Sequence, residues 1–189
     1  MPASQRPFIG ATPYSDAAGS GVTFRVWAKF ANNVFVAGTF NAWSQNANPL
    51  FSEGNGYWSV DVAGAGVGDQ YRFIVDTANP PWRMDPYARQ IVHDAQENLN
   101  GVIAAFTEGF STPNYSTPSW NELVIYEMHV RTFLYGGGYN GTGSFASAIT
   151  KLDYLRDLGI NAIEVMPLGE FTGDISGGYN PAYIFAVED

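Results

Sequence analysis

The chain has 189 residues, 9 basic and 18 acidic side chains, a net charge of −9 and no cysteine. Nucleic acid and anionic membranes are gripped by basic surfaces, so that balance speaks against both as partners. Without cysteine there is no disulfide framework, thiol nucleophile or cysteine metal site, and aromatics (15%) as frequent as charged residues (14%) are compatible with a neutral ligand.

The opening stretch, MPASQRPFIG, has no apolar h-region, so no signal peptide is expected. No apolar run approaches the roughly 20 residues of a membrane span. Cytoplasm is the expected compartment, and residues 1–20 read as an N-terminal extension. From 21 to 106 short alternating runs stand between turn signals. Val22–Trp27, Asn33–Ala37, Tyr57–Val62 and Gln70–Val75 alternate, and later runs near Arg89–His93 and Val102–Phe106 could complete two sheets. Such spacing predicts an all-β, immunoglobulin-like sandwich. Residues 107–121, with Pro113 and Pro118 among Ser and Thr, read as a linker.

Beyond it, from 122 to 189, the period changes. Leu123–Val130 is a strand candidate. Ser144 is a good N-cap, and Phe145, Ala148, Ile149, Leu152, Leu155 and Leu158 recur at helical spacing up to Gly159. Ala162–Met166 is a second strand, which a helical crossover makes parallel to the first. Gly136, Gly138 and Gly141 spell a literal G-x-G-x-x-G. The third glycine precedes the helix instead of lying in its first turn, so a pyrophosphate would miss the helix N-terminus, and a dinucleotide site is rejected. No cofactor and no metal are expected; His93 and His129 are too isolated to form a metal site.

Two tryptophans, Trp43 and Trp82, lie outside the strands, with Arg72 mid-strand and Asn98 and Asn100 before a late strand. Indoles beside amide and guanidinium groups suit a sugar, whose apolar face stacks on an aromatic plane while its hydroxyl rim needs planar partners. Covering one such face buries ~80 Å², worth roughly 2 kcal/mol. The alternative is that these tryptophans plug the ends of the sandwich.

The run Val34–Trp43 resembles the signature of carbohydrate-binding module family 48. Asp69–Asp76, Trp82–Pro86 and Asn98–Asn100 do so as well, in the family's order. The resemblance implies that Trp43 and Trp82 stack on glucose units and that Arg72, where a lysine is usual, and Asn100 hydrogen-bond the sugar. It makes α-glucan (glycogen, starch or maltooligosaccharide) the expected partner.

Leu123–Phe133, Leu152–Ile160, Asn161–Leu168 and Gly178–Pro181 resemble the opening of an α-amylase-superfamily (glycoside hydrolase family 13) barrel. That resemblance implies the first strand–helix–strand portion of a (β/α)8 barrel, with Tyr179 stacking against the sugar at the cleavage point. The usual tryptophan before the Gly-Tyr pair is Gly177 here. In such enzymes two carboxylates about 5 Å apart perform retaining chemistry, and all the catalytic carboxylates come from later strands. Glu127 and Glu164 are therefore expected to be structural, Glu170 and Asp174 to be solvated, and no catalytic residue is assigned to the chain. The expected function is the N-terminal, glucan-binding portion of an α-glucan-processing enzyme, such as a branching enzyme. A freestanding glucan-targeting module is the alternative.

Overall fold

The computed structural model describes residues 2–76, 81–94, 98–105, 116–134, 143–171 and 176–187. The chain divides into two compact units, Met1–Glu108 with Ala182–Asp189, and Gly109–Pro181.

In the first unit the strands β1 (Gly10–Asp16), β2 (Gly19–Trp27), β4 (Phe51–Gly54) and β5 (Tyr57–Val62) form one antiparallel sheet in the order β1-β2-β5-β4. A second, five-stranded sheet runs β3 (Val34–Gly38), β6 (Gln70–Val75), β9 (Leu99–Val102), β8 (Ile91–His93), with β7 (Trp82–Arg83) also paired to β6. Period-two alternation explains the core. Val22, Phe24 and Val26 on β2 and Val34 and Val36 on β3 turn inward against Tyr71 and Phe73 on β6.

Residues assigned in sequence to an extension are built into this unit. β1 pairs with β2 over seven positions, from Gly10–Arg25 to Asp16–Gly19. It carries Pro13, which an edge strand tolerates and which masked it in the sequence. Ahead of β1 the chain crosses the outer face of β5. The Ser4 N–H donates to Ser59 Oγ at 2.8 Å, Ser4 Oγ donates to Asp61 at 2.7 Å, and Arg6 pairs with Asp61 and Asp16. Residues 182–187, most of β13 (Pro181–Val187), also belong to this unit: Ala186 packs with Ala88 and Ile91, and Phe185 stacks on Tyr87 at 5.0 Å.

The second unit contains β10 (Ile125–Met128), the helices α1 (Val130–Phe133), α2 (Phe145–Ile149) and α3 (Leu152–Asp157), β11 (Ala162–Val165) and β12 (Gly169–Phe171). β10 and β11 pair in parallel, with Glu127 opposite Glu164. Ser144 caps α2 through a reciprocal box with Ser147, at 3.2 and 2.8 Å. Gly159 ends α3 with φ +97°, the left-handed geometry that favours glycine.

Two elements differ from the sequence reading. The first strand stops at Met128 because the Thr132 and Phe133 N–H groups both return to the His129 carbonyl, at 3.2 and 3.0 Å, starting α1. The expected single helix is broken at Thr150 and Lys151, where the Thr150 hydroxyl donates back to the Ser147 carbonyl at 2.7 Å. Glu170, expected to be solvated, is buried in β12. Asp174, the three glycines of the G-x-G-x-x-G and residues 107–115 of the expected linker lie outside the described residues. No described helix is long and apolar enough to cross a membrane.

Candidate functional site

Trp43 is placed by a loop that the sequence builds with care. Gly38 ends β3 where a Cβ would lie 2.2 Å from the Gln70 carbonyl oxygen, so only glycine fits. Asn41 then closes the turn. Its Oδ1 accepts the Gly38 N–H at 3.0 Å, and its Nδ2 donates to the Val36 carbonyl at 3.2 Å and to Asn48 Oδ1 at 2.7 Å. Thr39 ties the loop to the start of β6, donating to Asp69 at 2.6 Å and accepting the Gln70 N–H at 3.1 Å. Ala42 and Trp43 are both left-handed, with φ of 52° and 60°. Each costs on the order of 1 kcal/mol, and the Trp43 N–H bond to the Gly38 carbonyl, 2.8 Å, helps to hold them.

Trp82 arrives from β7, opposite Ile74 on β6. The two indoles meet edge to face, with centroids 6.2 Å apart and planes inclined by 62°. Arg72, on the outer face of β6, holds its guanidinium carbon 5.7 Å from the centre of the Trp82 ring. Its Nε is buried without a hydrogen-bond partner. All three side chains are half-buried. A strained loop, an aromatic corner and a guanidinium thus converge on the outer face of the five-stranded sheet.

The two asparagines behave differently. Asn100 stands one step beyond the last paired positions of β6 and β9, Tyr71 and Gly101, beside Arg72. It is buried, and its Nδ2 donates to Gln70 Oε1 at 3.0 Å. Gln70 shares the outer face with Arg72, two residues away, and sequence reasoning passed it over; strand alternation was the signal that could have found it. Asn98 is exposed, and its amide donates to the Asp94 carboxylate, at 3.1 and 3.2 Å.

Tyr179 lies in the second unit, and its geometry stands by itself. Gly178 before it has φ +80°, and a Cβ there would lie 2.0 Å from the Pro167 carbonyl oxygen. The Tyr179 ring is exposed, and its hydroxyl donates to Glu127 at 3.3 Å. The negative charge of Glu127, with smaller contributions from burial and Glu164, raises its pKa above the ordinary tyrosine value. His129 contacts Thr132 Oγ1 at 2.8 Å and the Ser176 carbonyl at 3.2 Å. Among the described residues, no group of three or more histidines and carboxylates is placed to hold a metal.

The chain is similar to known proteins in sequence and in fold. Residues 8–88 match the family model of carbohydrate-binding module 48, the isoamylase N-terminal domain. A malto-oligosyltrehalose trehalohydrolase from Saccharolobus solfataricus is 31% identical over 170 residues, 89% of this chain and 28% of that protein. A 1,4-alpha-glucan branching enzyme from Nitrobacter winogradskyi is 32% identical over 186 residues, 94% of this chain and 25% of that enzyme. Among solved structures, a Salmonella typhimurium protein provisionally named alpha amylase superposes with a TM-score of 0.72 at 29% identity, over 95% of this chain and 28% of its own. The chain spans about a quarter of the length of the curated relatives it matches. It therefore carries a family 48 carbohydrate-binding module over residues 8–88, and most of the chain is similar to a part of a branching enzyme and of a trehalohydrolase.

Proposed function

We propose that this chain binds α-1,4-glucan on the outer face of its five-stranded sheet, through Trp43, Trp82 and Arg72 with Asn98 and Asn100 at the margin. The observation that carries the reading is the convergence of two inclined indoles and a guanidinium on one strained loop and two strands. Successive glucose units of an α-1,4 chain twist relative to one another, so two platforms inclined by 62° suit neighbouring units better than one flat wall would. Arg72 and the Gln70–Asn100 pair supply planar donors and acceptors for a hydroxyl rim.

The parent protein on this reading is an α-glucan-processing enzyme, as the names of the branching-enzyme and trehalohydrolase relatives suggest, and the resemblance to the α-amylase superfamily implies retaining chemistry for it. Residues 122–189, which include most of the second unit, are the opening of its catalytic barrel. An apolar trough of about 670 Å³, lined by Leu123, Leu152, Leu155, Ile160 and Ile163 among others, is where a further helix or strand would pack. Tyr179 contributes a sugar-stacking ring, and the catalytic carboxylates lie in strands beyond those described. This chain then binds glucan without transforming it.

Glycogen affinity electrophoresis tests the reading. The wild-type chain is expected to be retarded, and Trp43→Ala and Trp82→Ala to migrate faster. A wild type that runs unretarded sinks the proposal, and hydrolysis or branching by this chain alone would overturn its assignment as non-catalytic.

A further inference from the structure

The segment that carries Trp82 makes few strand bonds of its own. β7 is two residues long and pairs with β6 at Phe73–Arg83 and Ile74–Trp82, with one further bond from the Val75 N–H to the Pro81 carbonyl at 2.9 Å. Three residues past Trp82 the chain turns inward, and Asp85 enters the end of the sandwich with 1% exposure. Its Oδ2 accepts the Tyr71 hydroxyl at 2.6 Å and its Oδ1 accepts the Tyr87 N–H at 2.8 Å. Tyr71 is equally buried, its ring set against Phe24 and Phe73 at 5.3 and 5.9 Å. Gly10 keeps the space open, since a Cβ there would lie 3.2 Å from Asp85 Oδ2.

A buried carboxyl is an expensive way to fill space, because an apolar side chain of like size avoids the desolvation. The best-attested return on a buried polar group is that it selects one arrangement of the elements around it. Here those elements are the carriers of the platform. Tyr71 precedes Arg72 on β6, and Asp85 follows Trp82 by three residues, so one side-chain bridge joins the strand of the guanidinium to the segment of the indole.

We propose that Asp85 is a positioning residue for the sugar platform: bonded to Tyr71, it fixes where Trp82 stands against Arg72. This inference rests on the glucan reading above. It separates Asp85 from Trp43, whose loop is held instead by Asn41 and Thr39.

The test is a set of double-mutant cycles on the full chain, read as glycogen retardation and as maltoheptaose affinity in solution, well below the melting transition. Asp85→Asn and Tyr71→Phe each remove or weaken the bridge while keeping the shape of the site. Each is expected to lower affinity roughly three- to tenfold with an unchanged far-UV spectrum, the scale of one hydrogen bond. In a Trp43→Ala background the loss persists; in a Trp82→Ala background it disappears, because Asp85 acts through Trp82. Equal losses in both backgrounds, as general loosening would give, overturn the proposal. So does wild-type affinity in Asp85→Asn or, should that variant not fold, in Tyr71→Phe. A wild type that fails to bind glycogen removes the glucan reading and this inference together, whereas a binding wild type with an indifferent bridge removes this inference alone.

Discussion

Phe24 and Phe73 in the sandwich are fully covered, within one buried cluster that draws side chains from both sheets. In the second unit the buried apolar cluster among the described residues is Met128, Val130, Ala148 and Leu155, while Ile125, Leu152, Leu158 and Ile163 remain between 38% and 61% exposed. Both units obey the same hydrophobic patterning, but among the described residues only the sandwich brings two patterned sheet faces together. A parallel strand pair is ordinarily covered on both sides, and one broken helix covers one side. The core of the sandwich thus closes on its own residues.

The largest expected effect tests that contrast directly. Phe73→Ala should cost the sandwich about 3–5 kcal/mol, while Leu155→Ala should leave the sandwich transition where it was. Urea denaturation followed by tryptophan fluorescence measures both, and equal shifts of the sandwich midpoint would erase the distinction between the units.

Next comes the pH dependence of the sandwich. Burial pushes the Asp85 carboxyl up to about 6 from an ordinary 3.8, against the opposing influence of the Tyr71 hydroxyl, the Tyr87 N–H and Arg89. Between those values the folded state holds a proton that the unfolded state has released. Stability from this group is therefore greatest below about pH 4, falls as pH rises towards 6, and is level above, a total change of ~3 kcal/mol. Asp85→Asn should flatten that slope in melts recorded from pH 4 to 7. Asp16, held below the usual range by the Ala18 N–H and Arg6, acts in the opposite sense, and only as pH falls below about 4.

Smaller again are the effects on binding. Trp43→Ala and Trp82→Ala should each cost roughly 2 kcal/mol of glucan affinity by lost stacking area, whereas Tyr179→Ala should leave glycogen retardation unchanged. A loss with Tyr179→Ala would move part of the binding into the second unit. The smallest change is expected for Asn98→Ala, about 1 kcal/mol of sandwich stability from the lost amide bonds to Asp94. Its glucan affinity should fall about twofold or less; a fall matching that of Trp82→Ala would give Asn98 a direct role at the sugar.

Much of the site was legible one residue at a time. Trp43, Trp82 and Arg72 stood out because indoles outside strands and a guanidinium within one break the local pattern, and the structure brings those three together. What supports them did not stand out. Gln70, Asp69 and Thr39 are ordinary surface types whose roles depend on partners about 30 residues away. Asp85 was visible only as part of a resembling motif, since no local periodicity announces a buried acid. β1 was lost for a related reason: its pairing with β2 is an edge contact, and an edge strand can carry Pro13 and polar residues that weaken the alternation.

Alternation, turn residues and caps act between near neighbours. The amino-acid sequence by itself therefore determined the change from strand period to helix period, the inward set of Val22, Phe24, Tyr71 and Phe73, and the cap at Ser144. Tertiary structure alone decided which faces meet. It folded residues 2–20 into the sandwich unit, buried Asp85 beside Tyr71, and turned two tryptophans 39 residues apart in sequence into one corner 6.2 Å across. Those outcomes depend on long-range packing and desolvation, which no window of adjacent residues contains.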